Sequence, residues 1–390
     1  VMIEAHTARH TGVTAAAIAG HLEKAGAGAQ AMEWWCKAAE HEVAASAPHA
    51  AINNLRIALN RLAVSHKGAR ANGANRLARI AGPQLSLIKG NGARDVLTIY
   101  ELFAGNRITG DETANDQRFD ALWGIQTCLL VRGNLKRAAA LERRLLASAC
   151  ATRSTARRIL AYRLAGLLKF LRADFDAATM DYEHVLSLYD PADHDSLRHA
   201  YASDQAALSL AHLAWTHAMQ RDDRQALTMA RKALDRAESL GHPHTMTHVV
   251  CVLAAMHLER AGAPTAAPFA LAGRALAQKH GYPYWSAWSG IMIAATEAHE
   301  APSASVARME QAIATYAATG ARQILPFAQA LLAERHLAAG ADAAAQAAAS
   351  LGLQHAMASG ITAFTRNLMN LHTTGATKNG TLRQKGDNSS

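Results

Sequence analysis

The sequence is short of what a β-rich or disulfide-stapled protein needs. Aromatic residues are 5% of its 390, prolines number 9, and 90 residues are alanine. Alanine alongside Leu, Glu, Gln and Arg favours helix, and so few prolines leave helices unbroken, which excludes an all-β fold. The four cysteines, Cys36, Cys128, Cys150 and Cys251, lie far apart without a CxxC pair. They read as reduced, mostly buried small hydrophobes. No basic stretch followed by an apolar run opens the chain, and uncharged stretches such as Tyr282 to Thr296 are too short and polar to cross a bilayer. A cytoplasmic, all-α chain with no membrane association is expected. The start at Val1-Met2 leaves two readings: a non-AUG start taken literally, or the tail of a longer protein.

Charge is the next asymmetry. Forty Lys+Arg against 31 Asp+Glu give a net charge of +9. That raises the prior for anionic partners, although arginine-rich helical arrays reach it without one. The basic runs are Arg70, Arg76 and Arg79, then Arg137, Arg143, Arg144, Arg153, Arg157 and Arg158. No recognition-helix or RNA-binding pattern accompanies them, so a solvated basic face is expected and nucleic acid is not the expected partner.

A helix–turn–helix unit recurs along the chain. Its clearest copy is Tyr162-x2-Ala165-Gly166, then Phe175-x2-Ala178-x3-Tyr182, closing at Asp190-Pro191. The offsets match the tetratricopeptide (TPR) pattern of large residue, small pair, turn, Ala, aromatic and terminal proline. Gly166 and Ala178 are expected to let two helices approach, with Tyr162 and Tyr182 filling the groove beside them. Equivalent small residues fall at Ala138, Ala178, Ala226, Ala267, Ser305 and Ala345, and an earlier copy places Ala31 and Trp35 in frame. The spacing exceeds the common TPR length of about 34 residues, so the units are TPR-like. The fold expected is a right-handed α-solenoid.

Gly133-Asn134, Ala173-Asp174, Asp222-Asp223, Gly262-Ala263-Pro264 and Gly340-Ala341-Asp342 read as turns within units, with Gly241, Gly281, Gly320 and Gly360 between units. Gly68, Gly73, Gly82-Pro83, Gly90 and Gly92 read as long turns in a degenerate repeat. The organisation expected is N-terminal helical repeats at 1–62, the degenerate repeat at 63–116, the main array at 117–372 and a disordered tail at 373–390. The last helix, Ile361 to His372, has no visible partner after it, and an array end needs a cap.

Several runs carry a family resemblance: Ala121-Leu122-Trp123-Gly124, Leu130-Val131-Arg132-Gly133, Leu188-Tyr189-Asp190-Pro191, Leu240-Gly241-His242-Pro243, Gly281-Tyr282-Pro283-Tyr284-Trp285, Gln323-Ile324-Leu325-Pro326 and Leu331-Leu332-Ala333-Glu334. In this order, over about residues 12 to 372, they resemble the C-terminal TPR-rich region of bacterial class III adenylate/guanylate cyclase–AAA/STAND-type ATPase signalling proteins. The resemblance implies a repeat arm following cyclase and ATPase domains. The chain itself has no GxxxxGK[ST] phosphate loop, Gly380 and Lys385 lying in a polar tail, and no strand-borne acidic cluster for two-metal chemistry. No catalytic residue, cofactor or metal is therefore expected.

Candidate sites are few. His244 and His248 stand at i,i+4 without an evident third ligand, and His194, Asp195 and His199 form a second cluster, where Asp193 or Asp195 reads as a helix N-cap. Of six tryptophans, Trp34, Trp35, Trp123, Trp215, Trp285 and Trp288, those in repeat frame read as core. Tyr282, Tyr284, Trp285 and Trp288 make the candidate partner-binding aromatic patch, weighed against a core role. The function expected is a non-catalytic protein-interaction or sensor arm for signal transduction, whose partner is a protein or attached ATPase/cyclase module, with a small effector as a further option. The alternatives are the sensor arm of an ATP-dependent transcriptional regulator, which needs a C-terminal helix-turn-helix that is absent after Gly360, and a free-standing basic scaffold binding nucleic acid.

Overall fold

The computed structural model describes residues 14–45, 47–62, 79–105, 112–297 and 302–374, and every regular element among them is helical. The chain divides into two compact units, Val1–Ile88 with Thr98–Gly124, and Lys89–Leu97 with Ile125–Ser390. Gly68, Gly73, Arg70, Arg76 and the tail beyond 374, with Gly380 and Lys385, lie outside the described residues.

The first unit contains α1 (Ala15–Lys24), α2 (Gly28–Ala44), α3 (Pro48–Leu62), α4 (79–89), most of α5 (Arg94–Gly105) and the start of α6 (Glu112–Val131). Helix α2 packs on α1 and α3. Cys36, Ala39, Ala51, Leu55, Ala58 and Ile80 form its core, with Met32 and Trp35 against them. Gly82-Pro83, expected as a turn, lies inside α4. A Cβ at Gly82 would stand 2.5 Å from Cζ of Tyr100, so its lack of a side chain makes room for a ring instead of a bend.

The second unit is built from helix pairs. After α7 (Leu135–Ala151), α8 (Thr155–Leu171) pairs with α9 (Phe175–Leu188). Two short turns, α10 (Pro191–His194) and α11 (Leu197–Ala200), lead to α12 (Gln205–Met219), which pairs with α13 (Asp223–Leu240). Then α14 (Pro243–Ala261) pairs with α15 (Ala263–His280), α16 (Pro283–Thr296) with α17 (Pro302–Ala318), and α18 (Leu325–Ala338) with α19 (Asp342–Ser359). A final helix, α20, spans 365–374.

The two members of a pair differ in composition and so in burial. Helix α12 is apolar almost all round and is buried from Gln205 to Thr216, whereas α13 buries one stripe, Ala226, Ala230, Ala233 and Ala237. Such a stripe of small residues at i, i+4, i+7 and i+11 lets the outer helix lie close on the inner ones. Ala138, Ala178, Ser305 and Ala345 are likewise buried. In α15 the stripe is Ala266, Ala270, Gly273 and Ala277, so the position equivalent to Ala226 is Ala266. Ala267, expected there, is only partly buried one step round the helix. Tyr182 is fully buried, and a Cβ at Gly166 would stand 2.7 Å from its Cε1. Tyr162 is part-exposed, edge-on to His184 at 4.4 Å, and Phe175 is tilted against Phe170 at 5.7 Å.

Turn chemistry recurs with the pairs. Asn134, Asp174 and Asp222 cap the second helices by accepting from the backbone N–H three residues on. The residue before each cap is left-handed: Gly133 at φ 68°, Ala173 at 62° and Arg221 at 65°. Glycine takes that conformation freely, while alanine and arginine do so under strain.

The array closes on itself. The Val131 carbonyl, an orphan at the end of α6, accepts from Arg322 N at 2.8 Å and Gln323 N at 3.0 Å. The Leu171 carbonyl at the end of α8 accepts from Thr362 N at 2.8 Å and Ala363 N at 3.2 Å. Each link joins an inner helix to the one five pairs further on. Rings fill the space between: Trp215 meets Phe170 at 4.9 Å, Phe327 at 5.8 Å, Phe364 at 5.9 Å and Trp288 at 6.3 Å. The last helix, expected to lack a partner, is therefore covered by the first turns of its own array, with Phe364 and Leu368 buried.

Three stability measurements check this packing. Phe364→Ala should cost about 3–5 kcal/mol, read as a lowered urea midpoint, and no change would mean the last helix does not seat on α8. Ala178→Phe should overpack the first pair and cost about 1–3 kcal/mol, whereas Ala173→Gly should raise stability by about 0.5–1 kcal/mol by relieving its left-handed backbone.

Candidate functional site

The polar residues singled out in the sequence converge in the second unit, where the α10–α11 insertion meets α12, α13, α14 and α16. The insertion is held by an ionic knot. Arg236 on α13 donates through Nε to Asp204 Oδ1 at 2.6 Å, and through Nη2 to Asp204 Oδ2 at 2.8 Å and Asp195 Oδ1 at 2.7 Å. Its guanidinium lies over the Tyr189 ring at 4.7 Å, and the Tyr189 hydroxyl donates to Asp204 Oδ2 at 2.6 Å. Asp204 is fully buried and also caps α12, accepting from Ala207 N at 2.7 Å. Burial pushes its pKa up, but the hydrogen bonds from Arg236, Tyr189 and Ala207 outweigh that and hold the carboxyl below its ordinary value. Of the two residues expected as an N-cap, Asp193 lies inside α10 and Asp195 serves Arg236; Asp190 caps α10, accepting from Ala192 N at 2.9 Å.

Beside the knot lies a row of neutral histidines. Trp285 Nε1 donates to His244 Nε2 at 2.9 Å, which leaves that nitrogen unprotonated and puts the ring proton on Nδ1. There it faces the Ala202 carbonyl and Ser203 Oγ, each at 2.7 Å. His242 Nδ1 accepts from Thr245 Oγ1 at 2.8 Å, and Thr245 Oγ1 accepts from Asp204 N at 3.0 Å. His248 packs on Trp285 at 4.3 Å and edge-on to His212 at 5.5 Å, and His212 stacks on Tyr182 at 6.0 Å. Burial, reinforced by neighbouring positive charge, lowers His244 to about 3 and His212 and His242 to about 4. His248 is also pushed well down, burial first and then His212, His244 and Arg163.

Arg163 on α8 completes the row. It is 4% exposed, and its charge acts on both His212 and His248. Burial lowers it to about 10, with only Tyr182 opposing. Sequence reasoning missed this residue. The signal was there as a lone charge in the apolar run from Ile159 to Leu168.

The aromatic patch is not a surface. Tyr282, Tyr284, Trp285 and Trp288 are all buried, because α16 is an inner helix packed against α14, α15 and α17. Trp215 and Trp123 are buried too, while Trp34 and Trp35 are part-exposed, Trp35 donating to Glu23 at 3.1 Å. His194 hydrogen-bonds within its own turn, and His199 lies edge-on to His242 at 5.8 Å. Among the described residues no three His, Cys, Asp or Glu side chains are grouped as a metal site. The basic run is broken up, with Arg137, Arg143, Arg144 and Arg153 exposed but Arg157 buried. No disulfide joins the cysteines; Cys150 is exposed and the others buried. No described helix is long and apolar enough to cross a membrane. On the outer side, an open cleft of about 500 Å³ is lined by Asp176, Thr179, Met180, His217, Gln220 and Asp222.

This geometry can be set beside known proteins. No protein-family model and no curated protein matches the sequence. A solved structure does match, that of a Rap protein complexed with competence and sporulation factor. The TM-score is 0.56 at 10% identity, covering 89% of this chain and 99% of the Rap chain. The chain has a TPR-like solenoid fold. At that identity the likeness is one of fold.

Acid should loosen the site. The histidines are neutral when folded, whereas their ordinary value is 6.5. Between the two values the unfolded chain binds more protons, so the stability present above about pH 6.5 is lost as pH falls toward 4. Each histidine contributes a slope of about 1.4 kcal/mol per pH unit. Urea midpoints at pH 7, 6 and 5 should fall steadily, and His244→Gln should flatten the fall. Asp204→Ala should cost about 3–5 kcal/mol at pH 7, because it strands Arg236 and uncaps α12.

Proposed function

We propose that the chain is a non-catalytic TPR-like arm that binds a protein partner and serves as the sensor of a larger signalling assembly in the cytoplasm. The observation that supports the reading is its likeness, over most of its length, to a Rap protein whose structure was determined with a bound factor. In the second unit α12 is buried almost all round, the inner helices are packed against one another, and the ring cluster about Trp215 occupies the space between them. Partner contact therefore falls to the outer helices and the turns. The cleft beside Met180, which is 69% exposed between Asp176 and Asp222, is the opening we assign to it, for an apolar segment bearing basic residues.

The finer part of the reading is an attached ATPase or nucleotide cyclase module. It rests on the runs from Ala121 to Glu334 that resemble the repeat arms of such proteins. An arm of this kind acts by binding its partner with different affinity in two states of the attached module, and so shifting their populations.

Photo-crosslinking tests the partner, with a benzophenone side chain at Met180 and, as the exposed control, at Lys232, in the protein expressed in its own cells. A protein crosslinked from Met180 and absent from Lys232 is the expected result; identical patterns would remove the cleft. The intact mass of the native polypeptide tests the attachment. A mass well above 41.5 kDa, with peptides preceding Val1 that carry a phosphate loop, is expected. A native chain of 41.5 kDa would leave a free-standing adaptor.

A further inference from the structure

We propose that Arg163 anchors a binding site for a small oxyanion, a carboxylate or a phosphate, among the inner helices of the second unit. The proposal goes beyond the partner reading and stands whether or not a protein docks on the outer helices.

Two orphaned polar groups carry it. Arg163 is 4% exposed, and no acidic side chain among the described residues figures in its electrostatic surroundings. Its Nε is buried without a hydrogen-bond partner, and so is the hydroxyl of the neighbouring Tyr182. Two other charged groups of the same unit have partners of opposite sign. Arg236 has Asp195 and Asp204, and Asp181, next to Tyr182 in sequence, is taken by Lys169 at 2.5 Å. A buried cation left unpaired is costly, and a guanidinium still charged at neutral pH requires an anion more than any neutral ligand.

The walls fit the same ligand. Tyr182, His212, His248 and Trp285 follow one another as packed rings, at 6.0, 5.5 and 4.3 Å between centroids. They bring no carboxylate, which argues against a metal cation. The arginine fork supplies parallel N–H donors to an oxyanion, and the tyrosine hydroxyl supplies a third. Tyr182 and His212 are closed off, whereas His244 and His248 are part-exposed, so the row opens to solvent on the His248 side.

The test uses the full chain, with sodium phosphate and sodium acetate as probes against sodium chloride at matched ionic strength and pH 7.5. Melting temperature and titration calorimetry are the readouts. Phosphate or acetate should raise the melting temperature saturably where chloride does not, and which of the two acts identifies the oxyanion. Arg163→Gln should weaken that binding at least tenfold and, in chloride, melt above the wild type because an unpaired charge has gone. Tyr182→Phe should keep the fold and weaken binding several-fold. No saturable effect of either anion on the wild type would overturn the site. So would an Arg163→Gln variant that binds equally well, or one that melts lower in chloride, which marks a structural arginine.

Discussion

The second unit depends on the contact between its first and last inner helices. Helix ends leave carbonyls without partners, and in an open array water takes them. Here Val131 and Leu171 give theirs to backbone N–H groups of the turns before α18 and α20, and the rings of Phe170, Trp215, Phe327 and Phe364 close over one another beside those bonds. A repeat array normally draws its stability from nearest neighbours alone. This one adds long-range contacts that couple its ends.

Closure sets the rules for polar groups inside. A helix surrounded by other helices can carry a charge only if the charge is paired or discharged. Arg236 and Asp204 follow the first course, bound to each other and to Tyr189. The histidines of α12 and α14 follow the second and remain neutral, their protons placed by Leu208, Ala202 and Trp285. Arg163 follows neither, its Nε and the Tyr182 hydroxyl both buried without a hydrogen-bond partner.

The same closure separates the roles of the helices. The inner ones are occupied with one another, and the aromatic segment from Tyr282 to Trp288 is part of that packing. The outer helices bury one stripe each, and their remaining faces leave Met180, Leu271 and Leu351 exposed.

Much of this was written in the chain. Alanine content, turn residues and the recurrence of small residues specified helices, pairs and a TPR-like solenoid, because helix propensity, caps and close approach are local properties of a few residues. The frame at Ala267 missed by one residue, since adjacent alanines, Ala266 and Ala267, do not tell which one faces inward. Gly82 looked like a turn because the Tyr100 ring that needs its space is remote in sequence. What only the tertiary structure decided was what meets what across the array: that the last helix seats on α8, that Trp285 is buried and holds His244, and that Arg163 and Tyr182 come together without an anion of their own. Those outcomes depend on superhelical geometry, in which small rotations accumulate over several pairs, and no local pattern of residues encodes that sum.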